Sequence, residues 1–406
     1  MSPYRPDKKI LERYADVLVN FALGDGKGIK KGDVVYIVTQ EYAKPLYMEV
    51  LKAITKAGGH AISQYAPDDD AEFSVMRDFY AGAQKHQLDF FPEKYFRGLV
   101  DEMHHNLWII SDTDMALLKD VHPSKIMARA QAMKPFRMWR DEKENRGELH
   151  WTIALYGTAA MAKEAGLSER AYWNEIINAC FLDNAHPVAK WRAVDTKIRT
   201  YARLLNKMKI ERVHMKGPDV DLWMTLGATR LWEGGGGKNI PSFEIFTSPD
   251  WHGTEGWIQF NNPVYAHGST IAGIFLKFEK GVVVKATAKK NQALLTHMIK
   301  VPGANKVGEF SLTDRRFSRI TKFMAETLYD ENVGGPNGNT HLALGRSFHL
   351  CYRGDPTAVK EKDWDKLGFN SSAVHQDIVS TAPRTVTAYM KSGEEKIIYR
   401  GGRFIL

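Results

Sequence analysis

DVVYIVTQEYAKPLYMEVLKAITKAGGHAISQY, residues 33–65, carries the reading that decides the fold. Its first six residues form a short β-branched run suited to a buried strand. AKPLYMEVLKAITKAG (43–58) spaces its apolar residues as a helix does, and Gly58 and Gly59 end it. HAISQY (60–65) is a second strand, NLWIISD (106–112) a third and WTIALYG (151–157) a fourth. Strands separated by helices imply a mostly parallel sheet covered on both faces.

From about 168 to 208 the pattern is helical, with Ser168 as an N-cap and Pro187 opening a second helix. After about 210 the character changes. DVDLWMTL alternates Val220, Leu222, Met224 and Leu226; FEIF, GIFLKFEKGVVVKATA and TVTAYMKSGEEKIIYRGGRFIL read as strands and hairpins, with Gly281 and Gly393 at turns. The expectation is an α/β amino-terminal domain with a mostly parallel sheet over residues 1–185, followed by a strand-rich α+β metal-binding domain over 186–406. A chain of 406 residues suits two domains, and no internal repeat is evident.

Composition narrows the function. Hydrophobic residues make up 44% of the chain, enough for a substantial core, and 56 basic residues against 48 acidic ones leave a net charge of +8. That excess is spread along the sequence, whereas a nucleic-acid surface concentrates basic residues with aromatics on one element. No long apolar run approaches membrane-spanning length, and the amino terminus lacks the apolar core of a signal peptide. Cys180 and Cys351, the two cysteines, have no CxxC spacing and cannot form a disulfide framework. A cytoplasmic protein with no nucleic-acid or membrane partner follows. In that setting the NSS at Asn370 and the RGD at 353–355 are chance matches.

Four places in the second half put acids or histidines in short apolar strands, where a charged group is costly without a partner. Glu244 lies between Phe243 and Ile245, and Glu309 between Gly308 and Phe310. His341 opens the run Leu342-Ala343-Leu344 after an Asn/Gly loop. His375 and Asp377 are two apart, hence on one face of a strand. Each has an ordinary structural alternative: Glu244 at a strand edge in water, Glu309 on backbone amides, His341 on the Asn-rich loop, and a His-x-Asp tripeptide by chance. Together they supply three carboxylates and two imidazoles, donors suited to Zn, Co, Mn or Fe, and enough for two ions. Both readings stay open on spacing alone.

Competing motifs are weaker. GGGGK (234–238) has Asn239 where a phosphate loop needs Ser or Thr, and a strand follows where a helix is required. There is no GxSxG elbow and no HExxH helix. His104, His105 and His252 read as loop histidines, although His252 is near enough in sequence to share a cleft with Glu244.

In order, NIPSFEIFTSPDW, GEFSLTD, MAETLYDENVGGPNGNTHLALG and NSSAVHQDIVS resemble the successive motifs of the thermophilic-type metalloaminopeptidases, the aminopeptidase T and aminopeptidase S family (leucyl aminopeptidase II). The likeness covers most of residues 215–400. It implies an α/β amino-terminal domain, a carboxy-terminal domain holding two divalent metal ions (Zn, Co or Mn), a homodimer, and removal of amino-terminal residues from short peptides. It further implies that Glu244, Glu309, His341, His375 and Asp377 are the metal ligands. Seven residues after the ligand histidine the family usually has Tyr; here the position is Phe348. Tyr352 comes four residues later, roughly 13 Å along a continued strand. If the family Tyr donates to a developing oxyanion, its loss costs roughly 10²–10³ in turnover.

The leading expectation is a dinuclear metalloaminopeptidase in which Glu309 moves the proton of the attacking water, with Phe243, Phe246 and Trp251 as candidates for a side-chain pocket. A second reading takes His341, His375 and Asp377 as the two-His-one-carboxylate set of a non-haem Fe(II) ring-cleaving dioxygenase. A third, resting on Phe348, is a metal- or peptide-binding protein with little turnover.

Overall fold

The computed structural model describes residues 4–70, 72–266 and 269–406. The chain divides into two compact units. One contains the residues before Ala193 together with Gly236–Ile240; the other contains Ala193–Gly235, Pro241–Ala266 and Thr270–Leu406.

The first unit is built on the β-branched runs read above: β1 Val34–Gln40, β2 His60–Ala66, β3 His105–Ile110 and β4 His150–Leu155. They pair in parallel in the order β2-β1-β3-β4, and the two-residue strand Asn239–Ile240 adds a fifth parallel member beside β4. Helix Lys44–Ala57 connects β1 to β2 and buries Leu46, Val50 and Ile54, one turn apart. One face of the sheet, with Val35, Ile37, Leu107, Ile109 and Ala154, is sealed.

The opposite face departs from expectation. Helices Glu93–Glu102 and Lys134–Asn145 cover its early part, where Tyr36 packs with Leu99, Val100, Met103 and Leu149, flanked by Phe96, Phe136 and Trp139. Further along the same face Trp108, the register partner of Val38, is 53% exposed. Parallel sheets are normally buried on both sides; here Val38 packs against the helix cluster while its register partner Trp108 stays open.

The second unit contains an eight-stranded antiparallel sheet. Its order is Val282–Thr287, Phe275–Glu279, Asp250–Gln259, Val220–Thr225, Ile210–Gly217, Thr385–Met390, Glu395–Arg400 and Arg403–Phe404. The predicted alternation holds: Val220, Leu222 and Met224 are fully buried, while Asp221, Trp223 and Thr225 are half-buried. A four-stranded antiparallel sheet carries the acids and histidines, in the order His375–Ser380, Asn339–Gly345, Val307–Thr313 and Glu244–Thr247. The buried Arg384 braces it, pairing with both Asp219 oxygens at 3.0 and 2.9 Å. Its other donors reach the hydroxyls of Thr340 and Ser380, which face each other across two strands.

Candidate metal centre

Antiparallel register gathers the dispersed acids and histidines. Glu309, Ala343 and Asp377 form one row across three strands; His341 pairs with Ser311 in the next row and His375 with Gly345 at the strand end. Because alternate residues share a face, Glu309 and Ser311, His341 and Ala343, and His375 and Asp377 point the same way. Glu244 starts the edge strand opposite Thr313, and Ser311 Oγ donates to its Oε2 at 3.0 Å.

Two glycines allow this closeness. The register slips between Val307 and Glu309, a bulge that aims the Glu309 side chain. A Cβ on Gly308 would stand 2.3 Å from the Arg346 carbonyl oxygen. Gly345 takes φ +109°, and a Cβ there would meet the Val374 carbonyl oxygen at 2.0 Å. Residues other than glycine fit neither place without moving backbone.

His341 Nε2 lies 3.2 Å from Glu244 Oε2, 3.4 Å from Glu309 Oε1 and 3.8 Å from Asp377 Oδ1. His375 Nε2 lies 3.3 Å from Glu309 Oε2 and 3.6 Å from Asp377 Oδ1. Two groups result, Glu244–Glu309–His341 and Glu309–His375–Asp377, each with its donor atoms within 4.8 Å of one another, and Glu309 belongs to both. Glu244, Glu309, His341 and Asp377 are all buried. Asp377 Oδ1 has no hydrogen-bond partner among the described residues.

The backbone fixes both imidazoles. His341 Nδ1 lies 3.2 Å from the Glu331 carbonyl oxygen and His375 Nδ1 2.8 Å from that of Arg346. A ring that donates through Nδ1 turns its Nε2 lone pair towards the carboxylates, an arrangement that requires a positive charge between them. Without a metal, protons play that part. Burial lowers the His341 imidazole, but Glu244 and Glu309 outweigh it and hold it well above its usual range. Burial likewise opposes the charge on His375, yet Asp377 and Glu309 push it up to about 10. Burial raises Glu244 despite its bond to His341, whereas His375 overcomes burial to lower Asp377. Hard oxygen and imidazole donors, excess buried negative charge and backbone-oriented rings fit divalent cations.

Sequence reasoning missed Glu331. Its buried carboxyl is raised well above the usual range by burial and then by the charges of Glu244 and Asp377. Asn332 Nδ2 donates to Glu331 Oε1 at 3.2 Å, and Asn332 Oδ1 accepts from the Phe243 amide at 2.7 Å, beside Glu244. The one signal in the sequence was three polar residues, Asp330-Glu331-Asn332, immediately before the Gly-rich loop.

Phe348 borders the centre. Its ring lies 4.7 Å from that of His375 and 5.8 Å from that of Phe246, and its amide donates to Ser248 Oγ at 2.8 Å. Tyr352 does not continue a strand: His349–Cys351 is a tight 3-10 turn, and the Tyr352 ring packs edge-on against Trp364 and Phe369. The other pocket candidates also lie elsewhere. Phe243 is a core residue, and Trp251 stacks on His252 and under Lys306. His252 is exposed and held by Asp250 at 2.7 Å. His105 is buried on Asp33 at 2.8 Å at the start of β3 rather than in a loop.

The family described as thermophilic metalloprotease (M29) matches residues 7–404. Aminopeptidase T of Thermus thermophilus is 26% identical over 420 residues, covering 97% of this chain and 99% of its own. Aminopeptidase PepS of Streptococcus thermophilus is 25% identical, with 98% of each chain covered. The solved structure of wild-type AmpT from Thermus thermophilus superposes with a TM-score of 0.82 at 23% identity, over 98% of this chain and 100% of that one. The fold is shared.

Proposed function

The chain belongs to the thermophilic metalloprotease family M29, and from that premise we propose that it is a metal-dependent aminopeptidase acting on short peptides. One observation carries the reading: two buried donor groups joined by Glu309, one with Glu244 and His341, the other with His375 and Asp377. These five residues would hold two divalent ions, Zn, Co or Mn, with Glu309 common to both donor groups. The aminopeptidase names of the full-length relatives support the choice of reaction.

Ions bound there would supply an acidified water and polarise the scissile carbonyl. The residues do the rest. As water oxygen bonds to the carbonyl carbon, Glu309 takes the water's proton and returns it to the nitrogen of the departing amine as the C–N bond breaks. Glu331, a fourth carboxyl directed at the same centre, accepts the substrate's α-ammonium and so selects free amino termini. Ser311 holds Glu244 in place, and the Arg346 carbonyl fixes the His375 ring. Phe348 offers no hydroxyl to the developing oxyanion and presents an apolar wall with Phe246 to the substrate. The reading also places the protein in the cytoplasm as a homodimer. Its two cysteines are buried and form no disulfide, and among the described residues no helix is long and apolar enough to cross a membrane.

An Fe(II) dioxygenase reading of His341, His375 and Asp377 leaves the buried Glu244 with no metal to ligate. The deciding assay offers metal-loaded protein a free dipeptide and its N-acetylated form. Cleavage of the free peptide alone is expected; equal cleavage of both excludes an aminopeptidase.

A further inference from the structure

The face of the parallel sheet on which Trp108 stands open carries groups that the metal centre does not use. In the order β2-β1-β3-β4 the chain leaves β1 towards β2 on one side, while β3 and β4 lie on the other. The gap between the carboxyl ends of β1 and β3 is therefore a topological switch point, where open α/β sheets characteristically receive ligands. Val38 and Gln40 of β1, Trp108 and Ile110 of β3 and Ile153 of β4 share the face leading to it. Trp108 is 53% exposed there.

Two residues beyond the carboxyl end of β3, the strand that carries Trp108 and Ile110, stands Asp112. Its carboxylate has no hydrogen-bond or ion-pair partner among the described residues. It is half-buried, and burial alone raises its carboxyl above the usual range. The flanking backbone is tied down: Thr158 Oγ donates to the Asp112 carbonyl, and Thr113 Oγ to the Asp69 carbonyl at 2.7 Å. A partly desolvated carboxylate with no donor, on a fixed loop, calls for a cation. An open indole on β3, the strand leading into that loop, attracts one as well.

We infer that this switch point binds a small organic cation, a primary ammonium on an apolar body, with Asp112 pairing the ammonium and Trp108 supporting the body. Four residues, roughly 13 Å of strand, separate the two groups, so the body is elongated rather than compact. The inference stands independently of the peptidase reading, because it uses none of the residues of the metal centre.

The test is calorimetric titration of the metal-loaded full chain with 4-phenylbutylamine, using the neutral 4-phenylbutanol as control. Expected is an amine site that weakens at least tenfold in Asp112→Asn and in Trp108→Ala, that the alcohol does not fill, and whose loss in Asp112→Asn leaves peptidase turnover unchanged. A single amine site indifferent to both substitutions overturns the inference, since the ammonium is then taken at the metal centre. A Trp108→Ala change that alters sedimentation but not amine binding also overturns it, assigning this face to a second copy of the chain.

Discussion

The rings of Phe348 and His375 lie with centroids 4.7 Å apart and planes inclined by 55°. A side chain without a hydrogen-bonding group thus borders one imidazole of the candidate centre. Restoring a hydroxyl there by Phe348→Tyr is expected to raise kcat by roughly 10- to 100-fold, with KM little changed, because a donor at this place acts on the transition state. Steady-state kinetics on a free dipeptide provide the check, and an unchanged or lower kcat would show that position 348 is not the missing donor.

Glu309 belongs to both donor groups, so its loss should differ in kind from loss of any other ligand. Glu309→Gln is expected to weaken both ions and cut turnover by about 10³ or more. Glu244→Gln and Asp377→Asn should each weaken mainly one. Metal content per chain after exhaustive dialysis reads this directly; equal losses in all three variants would count against a shared ligand.

Glu331→Gln removes the carboxyl proposed to hold the substrate ammonium. The expected result is a KM raised about tenfold or more, together with poorer discrimination between free and N-acetylated peptides. Unaltered selectivity accompanied by loss of metal would reassign Glu331 to the ions themselves.

Protons substitute for metal in the stripped protein, and this gives a pH signature. His375 is pushed up to about 10 from an unfolded value near 6.5, and His341 moves in the same direction. A raised folded value means the stabilisation is complete below about pH 6.5 and is lost as pH rises through about 10. Ions displace those protons, so metal binding releases protons and weakens as pH falls. Melting curves of chelated and loaded protein from pH 6 to 10 test it: the chelated form should lose Tm across that window and the loaded form much less. A chelated protein that gained Tm with pH would contradict the arrangement.

Arg384 offers a stability test remote from the chemistry. Asp219→Asn leaves a buried guanidinium without its carboxylate and should cost about 3 kcal/mol in denaturant unfolding. Replacing both residues by apolar ones of similar size should cost less. A cost below about 1 kcal/mol for the single change would mean that the pair is solvated.

The parallel sheet was legible because Val34–Val38, Ile62 and Leu107–Ile110 are short β-branched or apolar runs separated by a helix-period stretch. The five acids and histidines stood out because each lies in or beside a short apolar strand, but spacing alone left an ordinary structural reading open and only the family resemblance named them as one set; the structure brings them together in two donor groups. Glu331 did not stand out, since it follows the short helical turn Thr327–Asp330, where no periodicity marks which side chains turn inwards. The strand Asn239–Ile240 is too short to carry a pattern. Tyr352 was placed wrongly along a strand because a single turn at His349–Cys351 leaves no signature in an apolar stretch. The exposure of Trp108 depends on which parts of the sheet face the helices cover, which the composition of β3 cannot express.

One carbonyl oxygen, that of Arg346, accepts the Nδ1 proton of His375 and also limits what fits at Gly308, next to Glu309. Alanine at 308 would press on the oxygen that orients the histidine while also disturbing the bulge that aims the glutamate. A chain retaining every acid and histidine named above, but with a methyl group at 308, would keep the whole chemical inventory and lose its alignment. Telling working enzymes from silent copies in this family therefore requires reading its glycines as closely as its ligands.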